Sequence, residues 1–364
     1  MKQIQIPWGM RDTLPNECRK KESLRKRIEA VYESYGYQPV ETPLIEYWST
    51  YRNAFENLQE ETLYKMTSED GKIAALRTDM TMPIARLCGA KLSSSKEPLR
   101  LRYCANVYKV RQTFAGKRSE VTDCGVELIG AGNGADLEVL ACAMDVMESF
   151  GIENYTLEIG NSRFFDSAAE NLKEEDRTVI ASLIDRKSMV ELEEYLSGME
   201  LSEEEKNLFL ELPLLSGKDA LERAEQLSFR EEMKEVIGEL RQLEKELGQL
   251  GYGNAVVFDL GKIPHLDYYT GIIFEGYVEG VGTGVLSGGR YDNLLARFGK
   301  DMPAIGFGVK LDYLLDVIEE EEFSPVKIYY TEENRVEALK TAAEMRNEMP
   351  VELILSDRDE VEVE

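Results

Sequence analysis

The stretch Pro264–Gly276 reads PHLDYYTGIIFEG. Ile272, Ile273 and Phe274, closed by Glu275 and Gly276, predict a short buried strand. Tyr268 and Tyr269 stand at its mouth. Adjacent hydroxyls there either orient a small polar ligand or belong to two core tyrosines, because a buried hydroxyl needs a partner in both cases. A second stretch follows, Ser287–Tyr313, SGGRYDNLLARFGKDMPAIGFGVKLDY. Its glycines at 288, 289, 306 and 308, with Gly284 before them, predict tight turns or close backbone packing. The segment LDYLLDVI after Lys310 predicts a terminal helix.

Upstream, Leu99–Gly116 reads as a strand running into a loop, with a basic cluster of Lys109, Arg111, Lys117 and Arg118. Glu120–Gly130 predicts a returning strand, on which Asp123 and Glu127, four apart, share a face. LRTDMTMPIARL, Leu76–Leu87, passes from strand to helix. Asp79 and Thr81 sit at that change, where a carboxylate and a hydroxyl either cap the helix or hold a ligand amine. Asp70-Gly71 predicts a hairpin turn within Thr62–Leu76. GYQPVETPLIE, Gly36–Glu46, reads as a strand whose Pro39 and Pro43 need an edge or a strand end.

Apolar spacing predicts helices over Arg19–Tyr35 and Ala135–Phe150, and strands over Tyr155–Gly160 and Ala255–Leu260. Residues 165–250 change character. They are acidic and helical in pattern, with a stripe through Met233, Val236, Ile237, Leu240, Leu243, Leu247 and Leu250. They read as a helical insertion in a domain covering 1–320. Residues 321–364 read as a short β-α-β remnant, too small for a full independent domain.

Composition narrows the function. The net charge is −26, and it is uneven: residues 1–130 carry 21 Lys+Arg against 17 Asp+Glu, the remainder 22 against 52. Such a surface repels a phosphate backbone, so extended nucleic-acid binding is disfavoured. No run of 18 apolar residues predicts a membrane span, and MKQIQIPWGMRD lacks a signal-peptide pattern. Five cysteines with no C-x-x-C pair fit a reducing cytoplasm, and with a single histidine, His265, no metal site is expected. No Walker A or G-x-G-x-x-G motif follows a strand.

Five segments, in order, resemble the catalytic core of histidyl-tRNA synthetases. GYQPVETPLIE resembles the first class II motif, which forms the dimer interface. LRTDMT resembles the loop that grips the amino group of histidine. VYKVRQTFAGKRSEVTDCGVELIG resembles the second motif, LDYYTGIIFE the histidine signature, and GGRYDNLLARFG with PAIGFGVKLDYL the third motif. The resemblance implies an α+β fold, a class II synthetase-like antiparallel sheet flanked by helices. It implies a histidine-binding set of Asp79, Met80, Thr81, Lys109, Asp123, Glu127, Tyr268, Tyr269 and Tyr291. In it Asp79 and Thr81 would take the ligand's ammonium, and Glu127 and Tyr269 would face the ligand, with Tyr268 and Tyr291 beside them. Asp123 stands where the synthetases have a glutamine.

Three departures bear on activity. Lys109 follows Tyr108 where the family has an α-phosphate arginine, Tyr313 stands at the third motif's arginine, and Pro264 at that of the histidine signature. One comparable donor to a developing oxyanion is worth about 3–4 kcal/mol, and neither proline nor tyrosine supplies a guanidinium. After residue 320 only a β-α-β remnant is expected where the family's anticodon-binding region would stand. A pocket without its chemistry resembles the regulatory subunits of ATP phosphoribosyltransferase. That resemblance implies no catalysis, cofactor, metal or tRNA. The implied partner is a short-form catalytic subunit, met in a hetero-octamer containing a homodimer formed through the first motif. L-Histidine is the implied effector. A free-standing histidine-binding module and a degenerate adenylating enzyme are the other readings.

Overall fold

The computed structural model describes residues 6–54, 60–92, 94–95, 97–111, 118–132, 134–263, 268–319, 323–357 and 362–363. Lys117, Pro264, His265, Leu266 and Asp267 lie outside them. The chain divides into two compact units, Met1–Ile318 and Glu319–Glu364.

The first unit opens with α1 (Pro15–Ser34), which buries Leu24, Ile28 and Tyr32. β1 is Gln38–Pro39 and β2 is Ile45–Tyr47. α2 (Trp48–Ala54), β3 (Lys65–Thr67) and β4 (Ile73–Leu76) follow. Gly71, at φ +77°, makes the turn between β3 and β4, a backbone shape that favours glycine. Next come α3 (Thr81–Lys91), β5 (Leu99–Tyr108), β6 (Glu120–Ile129), α4 (Ala135–Glu148) and β7 (Tyr155–Asn161). The acidic region supplies α5 (Ser162–Ala168), α6 (Glu174–Asp185), α7 (Met189–Ser197), α8 (Glu203–Glu211), β8 (Ser216–Gly217), α9 (Ala220–Leu227) and α10 (Glu231–Gln249). β9 (Val256–Asp259), β10 (Ile272–Val278), β11 (Leu286–Arg290) and β12 (Ala304–Lys310) complete the unit.

Among the described residues, nine strands form the main sheet in the order β1-β5-β6-β12-β11-β10-β7-β9-β8. The six from β5 to β7 in that order are joined by antiparallel pairings. The flanks differ from the antiparallel expectation: β1 pairs parallel to β5, and β9 parallel to β7. Both parallel strands arrive by long crossovers, which a hairpin cannot supply.

The sheet separates two apolar clusters. One lies beneath α1 and α4 and runs without a break into α6–α10, so the acidic helices share the core of the sheet. The other gathers α3, Tyr268, Tyr291 and Leu294 on the opposite face. In α10 the stripe is buried from Met233 to Leu247, and Leu250, just past the helix end, is exposed.

Two sequence readings need correction. GYQPVETPLIE is not one strand. Each proline removes a donor, so β1 ends at Pro39 on the sheet edge. β2 then enters a separate small sheet ordered β2-β4-β3. LDYLLDVI forms only a 3₁₀ turn at Leu311–Tyr313 followed by turns. Its Leu311, Leu314, Leu315 and Ile318 keep helical spacing and are buried. Asp312 instead accepts from Thr122 N (2.6 Å), Lys21 Nζ (3.0 Å) and Arg118 Nη1 (3.1 Å), which fixes the segment to β6 and α1.

The second unit pairs β13 (Val326–Tyr330) parallel to β14 (Val351–Leu355) and antiparallel to β15 (Glu362–Val363). α11 (Arg335–Met345) packs through Ala338 and Ala342 onto Ile328. Among the described residues no helix is long and apolar enough to cross a membrane.

Candidate functional site

A cavity of about 180 Å³ opens on the face of β5, β6, β11 and β12. That is below the ~300–1,000 Å³ of drug-sized ligand sites, which suits a small polar molecule. Its floor is backbone. Gly288 and Gly289 on β11 and Gly306 and Gly308 on β12 line it. A methyl at Gly306 would lie 1.9 Å from Glu127 Oε2 and 2.4 Å from the Val126 carbonyl oxygen. One at Gly308 would lie 2.2 Å from Asp123 Oδ1. These glycines make room for the carboxylates of the neighbouring strand.

Tyr268, Tyr269 and Tyr291 come together at one end, with Tyr268 ring centroids 4.8 Å from Tyr269 and 5.6 Å from Tyr291. The Tyr269 ring covers Gly289. The loop before α3 supplies Asp79 and Thr81. Asp79 Oδ1 accepts from Met82 N (2.8 Å) and Oδ2 from Thr78 Oγ1 (2.9 Å), so the carboxylate that lines the cavity also caps α3. The capping reading of Asp79 therefore holds, and the same carboxylate lines the cavity. Met80 is buried in the adjoining apolar cluster and reaches the cavity wall.

Glu127 is 1% exposed and stands in the wall behind this end. Thr81 Oγ1 donates to its Oε1 at 2.7 Å, and the Tyr291 hydroxyl donates to its Oε2. Burial raises its carboxyl to about 8, against the lowering pull of those two hydroxyls, with Asp79 and Asp123 adding to the rise. Asp123 is raised to about 6, again mainly by burial, and Lys310 and Lys109 oppose the rise. Its Oδ1 finds no hydrogen-bond partner among the described residues. An orphaned buried acceptor costs about 1–3 kcal/mol, which a ligand cation would recover.

The cavity is basic as well as acidic. Lys109, Arg111 and Lys310 line it beside Tyr313, and Lys310 stands directly opposite Asp123 in the β6–β12 pairing. Burial pushes Lys109 below its usual ammonium range, Arg111 and Lys310 push the same way, and Asp79 and Asp123 oppose them. A cavity lined by both carboxylates and cations matches a zwitterion. Lys310 was not singled out in the sequence. The signal was available: alternation in AIGFGVK puts Gly306, Gly308 and Lys310 on one face. Tyr103, also lining, follows from the same alternation on β5.

The largely antiparallel sheet, with this cavity between its central strands and the loop into α3, defines a class II synthetase-like protein. The family model of histidyl-tRNA synthetase matches residues 9–314. An ATP phosphoribosyltransferase regulatory subunit of Clostridium kluyveri is 36% identical over 94% of this chain and 90% of its own. One of Acetivibrio thermocellus is 35% identical over 98% and 88%. The crystal structure of an ATP phosphoribosyltransferase regulatory subunit/histidyl-tRNA synthetase from Bacillus halodurans superposes with a TM-score of 0.87, at 34% identity over 96% of this chain and 92% of that one. The chain belongs to the histidyl-tRNA synthetase family and, within it, to the ATP phosphoribosyltransferase regulatory subunits.

Proposed function

We propose that this chain is the non-catalytic regulatory subunit of an ATP phosphoribosyltransferase and that its cavity binds L-histidine. The observation that carries the reading is the cavity's mixed charge. Asp79 and Asp123 line it, with Glu127 behind the wall, and so does Lys109, at the position of the family's phosphate arginine. The carboxylates suit the ammonium and ring nitrogens of histidine. The cations suit its carboxylate. Tyr313 offers no guanidinium for a nucleotide, and the relatives' name points away from aminoacylation. Histidine then acts by favouring one arrangement of a complex, through a coupling typically of ~1–3 kcal/mol.

The partner is a separate short-form catalytic subunit, within a hetero-octamer. A homodimer of this chain through its first motif fits the small sheet. There, Ile45, Tyr47 and Met66 are 45%, 44% and 38% exposed on one face. A cytoplasmic location fits the five free thiols.

The test is reconstitution. Mixed with a short-form catalytic subunit, the chain is expected to switch on condensation of ATP with phosphoribosyl pyrophosphate, and histidine to suppress it. Activation without histidine suppression moves the effector off this cavity. Histidine binding without activation of a matched partner makes the chain a free-standing binding module. Histidine-dependent exchange of pyrophosphate into ATP overturns the non-catalytic reading.

A further inference from the structure

On the face of β5 and β6 turned away from the cavity, Cys104 and Cys124 stand directly opposite each other. Lys109 N donates to Ser119 O at 2.8 Å, which makes Lys109 and Ser119 a hydrogen-bonded pair. Hydrogen-bonded and non-hydrogen-bonded pairs alternate along an antiparallel ladder, so Cys104 and Cys124 form a non-hydrogen-bonded pair. Such pairs bring Cα atoms to ~4.5 Å, within the ~4.4–6.8 Å that a disulfide spans. The two sulfurs and the Glu29 carboxylate all lie within 4.8 Å of one another.

The two thiols differ. Cys124 is fully buried and Cys104 is half-buried. A hydrogen bond from Cys124 lowers the Cys104 thiol against the rise from burial, and the Arg25 guanidinium lowers it further. Cys104, the less buried of the two, is therefore the attacking thiol and Cys124 the resolving one. Two thiols and a carboxylate are also a ligand set for a soft metal. Here, however, Glu29 Oε1 is already paired with Arg25 Nε at 3.0 Å and Arg102 Nη1 at 3.2 Å.

We propose that Cys104 and Cys124 are a reversible dithiol–disulfide pair, oxidised by exchange with a small-molecule disulfide. The Cys104 thiol gives up its proton and attacks one sulfur of the reagent as the thiolate; the small thiolate released takes up that proton, leaving a mixed disulfide on Cys104. Cys124 then attacks the Cys104 sulfur. It releases the second thiolate, which takes up the Cys124 proton. Two cysteine thiols and one disulfide become one protein disulfide and two small thiols, with two electrons passing to the reagent. The new bond fastens β5 to β6 beneath Tyr103 and Asp123, which flank the pair on the cavity face.

The test uses the full chain with exposed Cys18 changed to Ser, leaving four thiols. Oxidised glutathione is expected to lower the free thiols from four to two and to give a cross-linked Cys104–Cys124 peptide in a non-reducing digest, reversed by dithiothreitol. In Cys124→Ala, one glutathione should stall on Cys104. In Cys104→Ser, Cys124 should stay free. The cross-link in the parent protein decides the matter if either variant fails to fold. Four persistent thiols, or a glutathione adduct that stalls on Cys104 while Cys124 is present, would overturn the proposal. So would stoichiometric protection of both thiols by Zn²⁺ without a cross-link, which would make the pair a metal site.

Discussion

Glu127 shows what folding does to a single carboxyl. It begins near 4.5 in the unfolded chain and reaches about 8 in the folded one, chiefly because burial penalises its charge. Its contribution to stability is therefore fully present below pH 4.5 and is lost as the pH rises towards 8, the reverse of a salt-bridged carboxylate. Asp123, raised from 3.8 to about 6, acts in the same direction over a lower window. Urea unfolding at pH 5, 6.5 and 8 should show the midpoint falling as pH rises. Glu127→Gln, which keeps the shape and cannot ionise, should flatten the fall above pH 6. A wild-type midpoint that rises over this range would show the carboxylate to be stabilised in the fold. The sequence placed Glu127 and Asp123 on one strand face. It could not supply their protonation, which depends on Thr81, Tyr291 and the glycines of another strand.

Among the elements, β12 is held tightly against its neighbour. Its Gly306 faces Val126 and Glu127 of β6 so closely that a methyl would meet a backbone carbonyl, and backbone cannot swing aside as a side chain can. Gly306→Ala should cost about 1–3 kcal/mol, the usual range for overpacking. It should lower the urea midpoint without changing its slope. A midpoint equal to the wild type's would mean the strands can part without loss. The existence of α1, α4, β7 and β10 follows from apolar patterning, but α1 begins at Pro15, four residues before the expected Arg19, and β10 runs on to Val278. LDYLLDVI misleads because helical spacing also results when successive turns bury the same side. Nothing local announces that Asp312 is drawn towards Thr122, Lys21 and Arg118. GYQPVETPLIE misleads because two short strands of different sheets are contiguous in the chain.

At the scale of the molecule, the exposed apolar face of the small sheet bears on assembly. Ile45 and Tyr47 alternate outward on β2, and Met66 joins them across Ala74. If two copies meet there, the chain should sediment as a dimer, and Ile45→Lys with Met66→Lys should give a folded monomer with unchanged far-ultraviolet dichroism. A dimer that survives both changes would place the contact elsewhere. The acidic helices α6–α10 looked like an insertion by composition. Their apolar sides nevertheless run into the core beneath the sheet, so their charge lies on an outer surface of the same unit.

The sequence by itself determined the family, the ordered motifs, most helices and strands, and part of the cavity lining, namely Asp79, Met80, Thr81, Lys109, Asp123, Tyr268, Tyr269 and Tyr291. Motif residues carry their spacing in the chain, and period-2 and period-3.6 patterns are local. The tertiary structure alone decided the mixed parallel flanks of the sheet, the shared core of the acidic helices and the position of Glu127 behind the cavity wall. It alone set Cys104 against Cys124. Each of these depends on strand order and register, which join residues far apart in the chain through backbone hydrogen bonds that no local pattern encodes.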